Sequence, residues 1–197
     1  MSEMKKLILV LAAVCFVAAF GLALSYQLTR ERIAAAQLEF ELRAVREVVA
    51  LDHMDIPVII EKKELAGIPV YRAVRDIEPV VLGVAVVGYG RGFSGPVKII
   101  VGIDTKGVIT GIEVLSHLET PGLGARITEN FFLNEFKGKQ LGDEIKIKRD
   151  GGDIDAITGA TVSARAVSEG VEAALTLFFS EKNKILQEEV NWQVMEE

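Results

Sequence analysis

From Leu7 to Leu28 the chain reads LILVLAAVCFVAAFGLALSYQL, without a charged residue. A helix needs roughly 20 apolar residues to cross the hydrocarbon core of a bilayer, and this run meets that length. The competing reading is a cleaved signal peptide, because Ala23-Leu24-Ser25 puts small residues at suitable offsets. A signal's apolar region is typically about 7–15 residues, however, shorter than this run. The expectation is therefore a retained transmembrane anchor at 7–28. Lys5 and Lys6 precede it, while Arg30, Arg32, Arg43 and Arg46 come after it, so counting basic residues does not orient it.

Composition narrows the function classes. Hydrophobic residues make up 50% of the 197 residues, and their excess lies at the N-terminus, which points to one membrane segment. The net charge is −6, and no basic stripe with interleaved aromatics is present, so nucleic acid is excluded as an expected partner. Cys15 is the one cysteine. It can neither close an intrachain disulfide nor supply the thiolates of an iron–sulfur cluster. His53 and His117 lie far apart, with no second ligand at metal spacing, so no metal site is expected. Redox chemistry in this chain would need an organic cofactor.

Beyond the anchor, residues 29–52 repeat apolar positions at helical spacing (Leu38, Leu42, Val45, Val49), and 29–55 reads as a stalk helix packing on the globular part. That globular part spans 56–180, and a tail occupies 181–197. Runs rich in Val and Ile predict strands at Pro69–Arg75, Val80–Gly88, Val97–Ile103 and Val108–Ser116, the last two bracketing the turn Asp104–Gly107. A short helix is expected near Thr128–Phe136, a further strand near Glu144–Lys148, and a closing helix over Val162–Phe179. The fold class is α+β: a twisted antiparallel sheet packed with helices, behind one N-terminal transmembrane helix.

Three segments could carry chemistry. Asp155-Ala156-Ile157-Thr158-Gly159-Ala160-Thr161-Val162-Ser163 lies where a loop becomes the closing helix. Gly159 permits a tight turn there, and the free N–H groups of a helix start favour a phosphate. Thr158, Thr161 and Ser163 could contact that phosphate, or one of them could be esterified; Thr161 or Ser163 could equally serve as an ordinary helix cap. The second segment, His117-Leu118-Glu119-Thr120-Pro121-Gly122-Leu123-Gly124-Ala125-Arg126, has glycines that let backbone approach a flat ligand, with polar contacts from Glu119 and Thr120. It could also be a plain glycine-rich connection. The third, Gly88-Tyr89-Gly90-Arg91-Gly92-Phe93-Ser94-Gly95-Pro96, precedes a strand, not the helix that a dinucleotide fingerprint requires.

These residues carry a resemblance. Asp155-x-x-Thr158-Gly159-Ala160-Thr161 resembles the D-x-x-(S/T)-G-A-T motif of the FMN-binding domain family. In that family a flavin transferase uses FAD to attach FMN through a phosphodiester to the final threonine. The resemblance implies Thr161 as the attachment residue, framed by Asp155, Thr158, Gly159, Ala160 and Ser163. The 117–126 segment is similar to the loop beside the flavin ring in the G subunit of the Rnf electron-transport complex and the C subunit of the Nqr complex. It implies cofactor contacts from His117, Glu119, Thr120, Gly122, Leu123 and Gly124. The third segment resembles a G-Y-x-G-P-I-K stretch of the same family, lengthened here by Arg91, Gly92 and Phe93, with Gly95 and Pro96 as scaffold. Asp150-Gly151-Gly152-Asp153-Ile154-Asp155 is similar to the family's approach to the attachment loop, although Asp and Gly form turns everywhere.

The compact size fits the Rnf G subunit better than the Nqr C subunit. The implied role is an electron relay, not turnover by this chain alone, in an ion-translocating ferredoxin:NAD⁺ oxidoreductase whose other membrane subunits are its partners. The implied location is the cytoplasmic membrane of a prokaryote, with residues 1–6 cytoplasmic and the FMN domain outside. The anchor contains no Asp, Glu, Lys, Arg or His to build an ion path, so coupling belongs to the partners. Alternatives are the C subunit of a Na⁺-translocating NADH:quinone reductase, a stand-alone anchored FMN module, and a noncovalent flavin reductase, for which no nucleotide fingerprint is present.

Overall fold

The computed structural model describes residues 2–51, 56–77, 80–187 and 191–195, so His53 lies outside the described residues. The chain divides into two compact units, Met1–Phe40 and Glu41–Glu197.

The described residues of the first unit are all helical, part of α1 (Ser2–Val48). Among the described residues this is the one helix long and apolar enough to cross a membrane, and none of its most apolar window is buried in protein. Leu9, Phe16, Val17 and Leu22 stand exposed all around it. A helix apolar on every side needs an apolar surrounding.

The second unit is built on an antiparallel sheet of β1 (Val58–Leu65), β2 (Ile68–Arg75), β3 (Val81–Arg91), β4 (Pro96–Ile103), β5 (Ile109–Ser116) and β6 (Gln193–Met195). The order across it is β5-β4-β3-β2-β1-β6, so the first five strands form a meander and the last returns to the far edge. Strand alternation separates two faces. Val84 and Val86 of β3, with Val97, Ile99, Val101 and Ile103 of β4, join the main core against α3 (Thr161–Ser180). On α3, Val167, Val171, Leu175 and Phe178 are fully buried, each contributing about 1.5–3 kcal/mol by transfer from water. Helix and sheet approach closely because β3 has glycine where they meet: a Cβ at Gly90 would overlap the Ala166 carbonyl, and one at Gly88 that of Gly170.

The opposite face receives the last turns of α1. Leu42, Val45, Val48 and Val49 are buried, and a Cβ at Gly102 would overlap the Val48 carbonyl. Glu41 binds the same face, accepting hydrogen bonds from the Tyr71 hydroxyl (2.7 Å) and Lys98 Nζ (2.9 Å).

The expected strands and closing helix are present, and the structure adds two strands and removes one. β1 hid behind Glu61, Lys62, Lys63 and Glu64, which interrupt its alternation; a turn at Ala66 and Gly67, both at positive φ, pairs it with β2. The tail supplies α4 (Lys182–Leu186) and β6, which pairs with β1. The strand expected near Glu144–Lys148 does not form. Ile145 and Ile147 do alternate into the core, but their backbone bonds to a tight return, with Lys148 N–H donating to the Ile154 carbonyl (2.7 Å) and Gly152 N–H to that of Ile147 (3.2 Å). A short α2 (Asn130–Leu133), flanked by 3₁₀ turns at Gly124–Thr128 and Asn134–Phe136, occupies the region of the expected helix near Thr128–Phe136.

Candidate functional site

Three loops meet at the start of α3: the β3–β4 connection, the glycine-rich segment after β5, and residues 148–160. Between them lies a cavity of about 440 Å³, lined by Phe93 from the first, Glu119, Thr120, Leu123 and Gly124 from the second, and Arg149 with residues 159–163 from the third. Its size falls within the range of roughly 300–1,000 Å³ usual for ligand pockets.

The α3 start is an open polar end. Ala160 precedes it, and no side chain caps it. Ser163, one of the two residues that could have done so, donates its hydroxyl to Glu119 Oε2 (2.5 Å). Thr161, the other, is the first residue of the helix and lines the cavity. The capping alternative left open by the sequence is therefore not used. The first N–H groups of a long helix favour an anion. Gly159 shapes the entry to it: its φ is +80°, and a Cβ there would sit 2.8 Å from Leu123 Cδ1.

The 148–155 segment is pinned on both flanks of Arg149. Lys148 Nζ meets Asp155 Oδ1 at 2.6 Å, and Arg165 Nε and Nη2 donate to Asp150 at 2.6 and 2.9 Å. The hydrogen bond with Asp155 holds the Lys148 ammonium above its ordinary pKa, and that with Arg165 holds the Asp150 carboxyl below its own. Asp155 N–H also donates to Glu135 Oε2 (2.6 Å), and Asp153 pairs with Lys139 (3.4 Å). These contacts tie the loop together at its surface, and Arg149, between two paired neighbours, is among the residues lining the cavity.

Of the residues singled out in the sequence, Glu119, Thr120, Leu123, Gly124, Gly159, Ala160, Thr161 and Ser163 come together around the cavity. His117, Gly122, Asp155 and Thr158 lie outside its lining. His117 orders its own loop, its Nδ1 accepting the Glu119 N–H (3.1 Å), and Gly122 takes a positive-φ turn. Phe93, Arg149 and Val162 line the cavity without having been expected to. A lone aromatic in a glycine-rich loop and a basic residue just before Gly151-Gly152 were the available signals.

Flavin mononucleotide suits this donor set. Glycine backbone and the apolar side chains of Phe93, Leu123 and Val162 offer a surface for a flat ring, while Arg149 and the uncapped helix start offer charge and N–H groups for a phosphate.

Residues 92–176, which include every lining residue, match the FMN-binding domain family. The chain is similar to the G subunit of the ion-translocating oxidoreductase complex from Aliivibrio fischeri (strain MJ11), at 32% identity over 94% of this chain and 95% of that one. It is 36% identical to the corresponding G subunit from Stutzerimonas stutzeri, over 84% of this chain and 76% of that one. The crystal structure of Shewanella oneidensis NqrC shares the fold, with a TM-score of 0.57 at 18% identity over 77% of this chain and 98% of that one. At this identity and coverage, the chain belongs to the family of G subunits of ion-translocating oxidoreductase complexes, and its cavity lies in an FMN-binding domain.

Proposed function

We propose that this protein is a membrane-anchored electron-relay subunit of an ion-translocating oxidoreductase, carrying one FMN esterified to Thr161. The observation that carries the reading is the pairing of the uncapped Thr161 with a glycine- and Arg-lined cavity at the start of α3. The attachment chemistry balances with FAD as donor and a flavin transferase as catalyst. Thr161 Oγ1 loses its proton and bonds to the phosphorus of the FMN half, while the bond to the AMP half breaks and AMP leaves. No electrons change hands.

Once bound, FMN supplies one- or two-electron transfer; the protein's part is position and electrostatics. Arg149 and the first N–H groups of α3 would hold the phosphodiester, and the walls at Phe93, Leu123 and Gly124 would hold the ring. A tether also removes the dissociation equilibrium, which matters for a domain facing a dilute extracytoplasmic space. The proposed complex is of the ferredoxin:NAD⁺ type, with other membrane subunits as electron donor and acceptor. The relatives from Aliivibrio fischeri and Stutzerimonas stutzeri are described as the G subunit of an ion-translocating oxidoreductase complex, which supports membership of such a complex.

Co-expression with a flavin transferase tests the attachment. A denaturing gel under ultraviolet light should show a fluorescent band that disappears in Thr161→Ala and persists in Thr158→Ala and Ser163→Ala. A band that survives Thr161→Ala would place the flavin elsewhere or leave it unattached to this residue.

A further inference from the structure

We propose that Glu119 is a positioning residue, whose buried carboxylate fastens the Phe93-bearing wall of the flavin pocket to the helix start that bears Thr161. The inference rests on the FMN reading, and it gives Glu119 a role other than presenting polar atoms to the cofactor.

Glu119 is 5% exposed. A buried carboxylate is costly unless its oxygens are hydrogen-bonded. Both are engaged by protein: Oε1 accepts the Ser94 backbone N–H at 3.0 Å, and Oε2 accepts the Ser163 hydroxyl at 2.5 Å. The two donors lie 25 and 44 residues away in sequence, on different elements. Ser94 directly follows Phe93, and Ser163 sits in the first turn of α3. One carboxylate thus joins the β3–β4 loop, the glycine-rich loop and α3.

Backbone geometry leaves room for little else. A Cβ at Gly124 would lie 2.6 Å from Glu119 Oε2 and 2.8 Å from Ser163 Oγ, and a Cβ at Gly92 would overlap Oε1. Gly92 N–H also donates to the Gly95 carbonyl (3.0 Å), closing the small loop that the clamp holds. At Gly124 the space for a Cβ is taken by the carboxylate and Ser163, and at Gly92 by the carboxylate together with the Gly95 carbonyl 2.8 Å away, so the insertion of Arg91-Gly92-Phe93 becomes the part of the wall that the carboxylate secures.

The chemistry separates the substitutions. Glutamine can keep its oxygen on Ser94 N–H and donate its amide to Ser163 Oγ, so Glu119→Gln preserves the bridge. Glu119→Ala removes both acceptors, and Ser163→Ala removes one arm. The test uses the full chain in detergent, co-expressed with a flavin transferase, and reads amide hydrogen exchange together with the visible circular dichroism of the flavin.

Exchange at Ser94 N–H should accelerate about tenfold or more in Glu119→Ala, as expected for a lost local closure, and stay near wild type in Glu119→Gln. The flavin dichroism should fall by about half or more in Glu119→Ala and Ser163→Ala, as the ring loses its fixed wall, and be retained in Glu119→Gln. Wild-type exchange and dichroism in Glu119→Ala would overturn the proposal. If Glu119→Ala fails to fold, Ser163→Ala decides: unchanged flavin dichroism there overturns the clamp. Exchange does not need the cofactor. A wild-type protein without flavin therefore contradicts the FMN reading, while the Ser94 amide still reports on the clamp by itself.

Discussion

At the scale of the residue, the site divides labour between groups that face the ligand and groups that hold those groups still. Arg149 is the proposed case of the first kind, because it lines the cavity and its neighbours Lys148 and Asp150 pair with Asp155 and Arg165. Hydrogen bonds to charged groups are worth about 1.5–3 kcal/mol when sheltered, and less beside solvent. In a Thr161→Ala background, where FMN can bind only reversibly, Arg149→Ala is expected to weaken FMN binding by about tenfold at low salt, with a smaller loss as salt rises. Fluorescence quenching of FMN by the detergent-solubilised protein measures it. Arg149 was not legible in the sequence as a lining residue, since only the fold brings 149 and 161 to one cavity. The turn into α3 was legible because it is local: a positive-φ glycine at 159, then a helix start at Thr161.

At the scale of the element, α3 carries the site and its seat on the sheet sets where Thr161 lies. Gly90 makes that seat possible, because any side chain there meets the Ala166 backbone, which has no rotamer to yield. Gly90→Ala is expected to lower stability by about 1–3 kcal/mol, the usual cost of overpacking. That corresponds to a fall of roughly 2–4 °C in Tm per kcal/mol for a domain of this size, readable by thermal unfolding followed by circular dichroism.

The other face of the sheet carries two carboxylates with opposite pH behaviour. Burial pushes Glu41 up, but hydrogen bonds from Lys98 and Tyr71 and the charges of Lys98 and Lys62 outweigh it and hold its pKa below the usual 4.5. Its stabilisation is present above the unfolded value and is lost as pH falls through the folded one. Glu113 is raised, chiefly by burial and secondarily by Glu47. Its contribution is favourable below the unfolded pKa and is lost as pH rises through the folded value. At pH 7, Glu113→Gln should therefore raise Tm and Glu41→Gln should lower it; the gap should narrow in acid. Equal shifts at pH 7 and pH 4 would contradict these signs.

At the scale of the whole molecule, sequence pattern and structure agree where one period dominates. The uncharged run at 7–28 is helical, the Asp104–Gly107 turn joins β4 to β5, and the apolar stripe of Val167, Val171 and Leu175 faces the core. Agreement ends where tertiary contacts override the pattern. β1 is stabilised by pairing on both sides despite four consecutive charged residues, and the Ile145–Ile147 alternation is absorbed by a loop that folds back on itself. Glu119 shows the same limit at the site. Its motif pointed to the cavity, but its bonding to Ser94 and Ser163 depends on loops distant in sequence.

The most direct test of the account is the intact mass of the full chain, purified from its native membranes and unfolded before measurement. The expected result is the polypeptide plus one FMN less one water, with fragmentation placing the added mass on Thr161. A fully processed chain with only the unmodified polypeptide mass, colourless after unfolding, would contradict it.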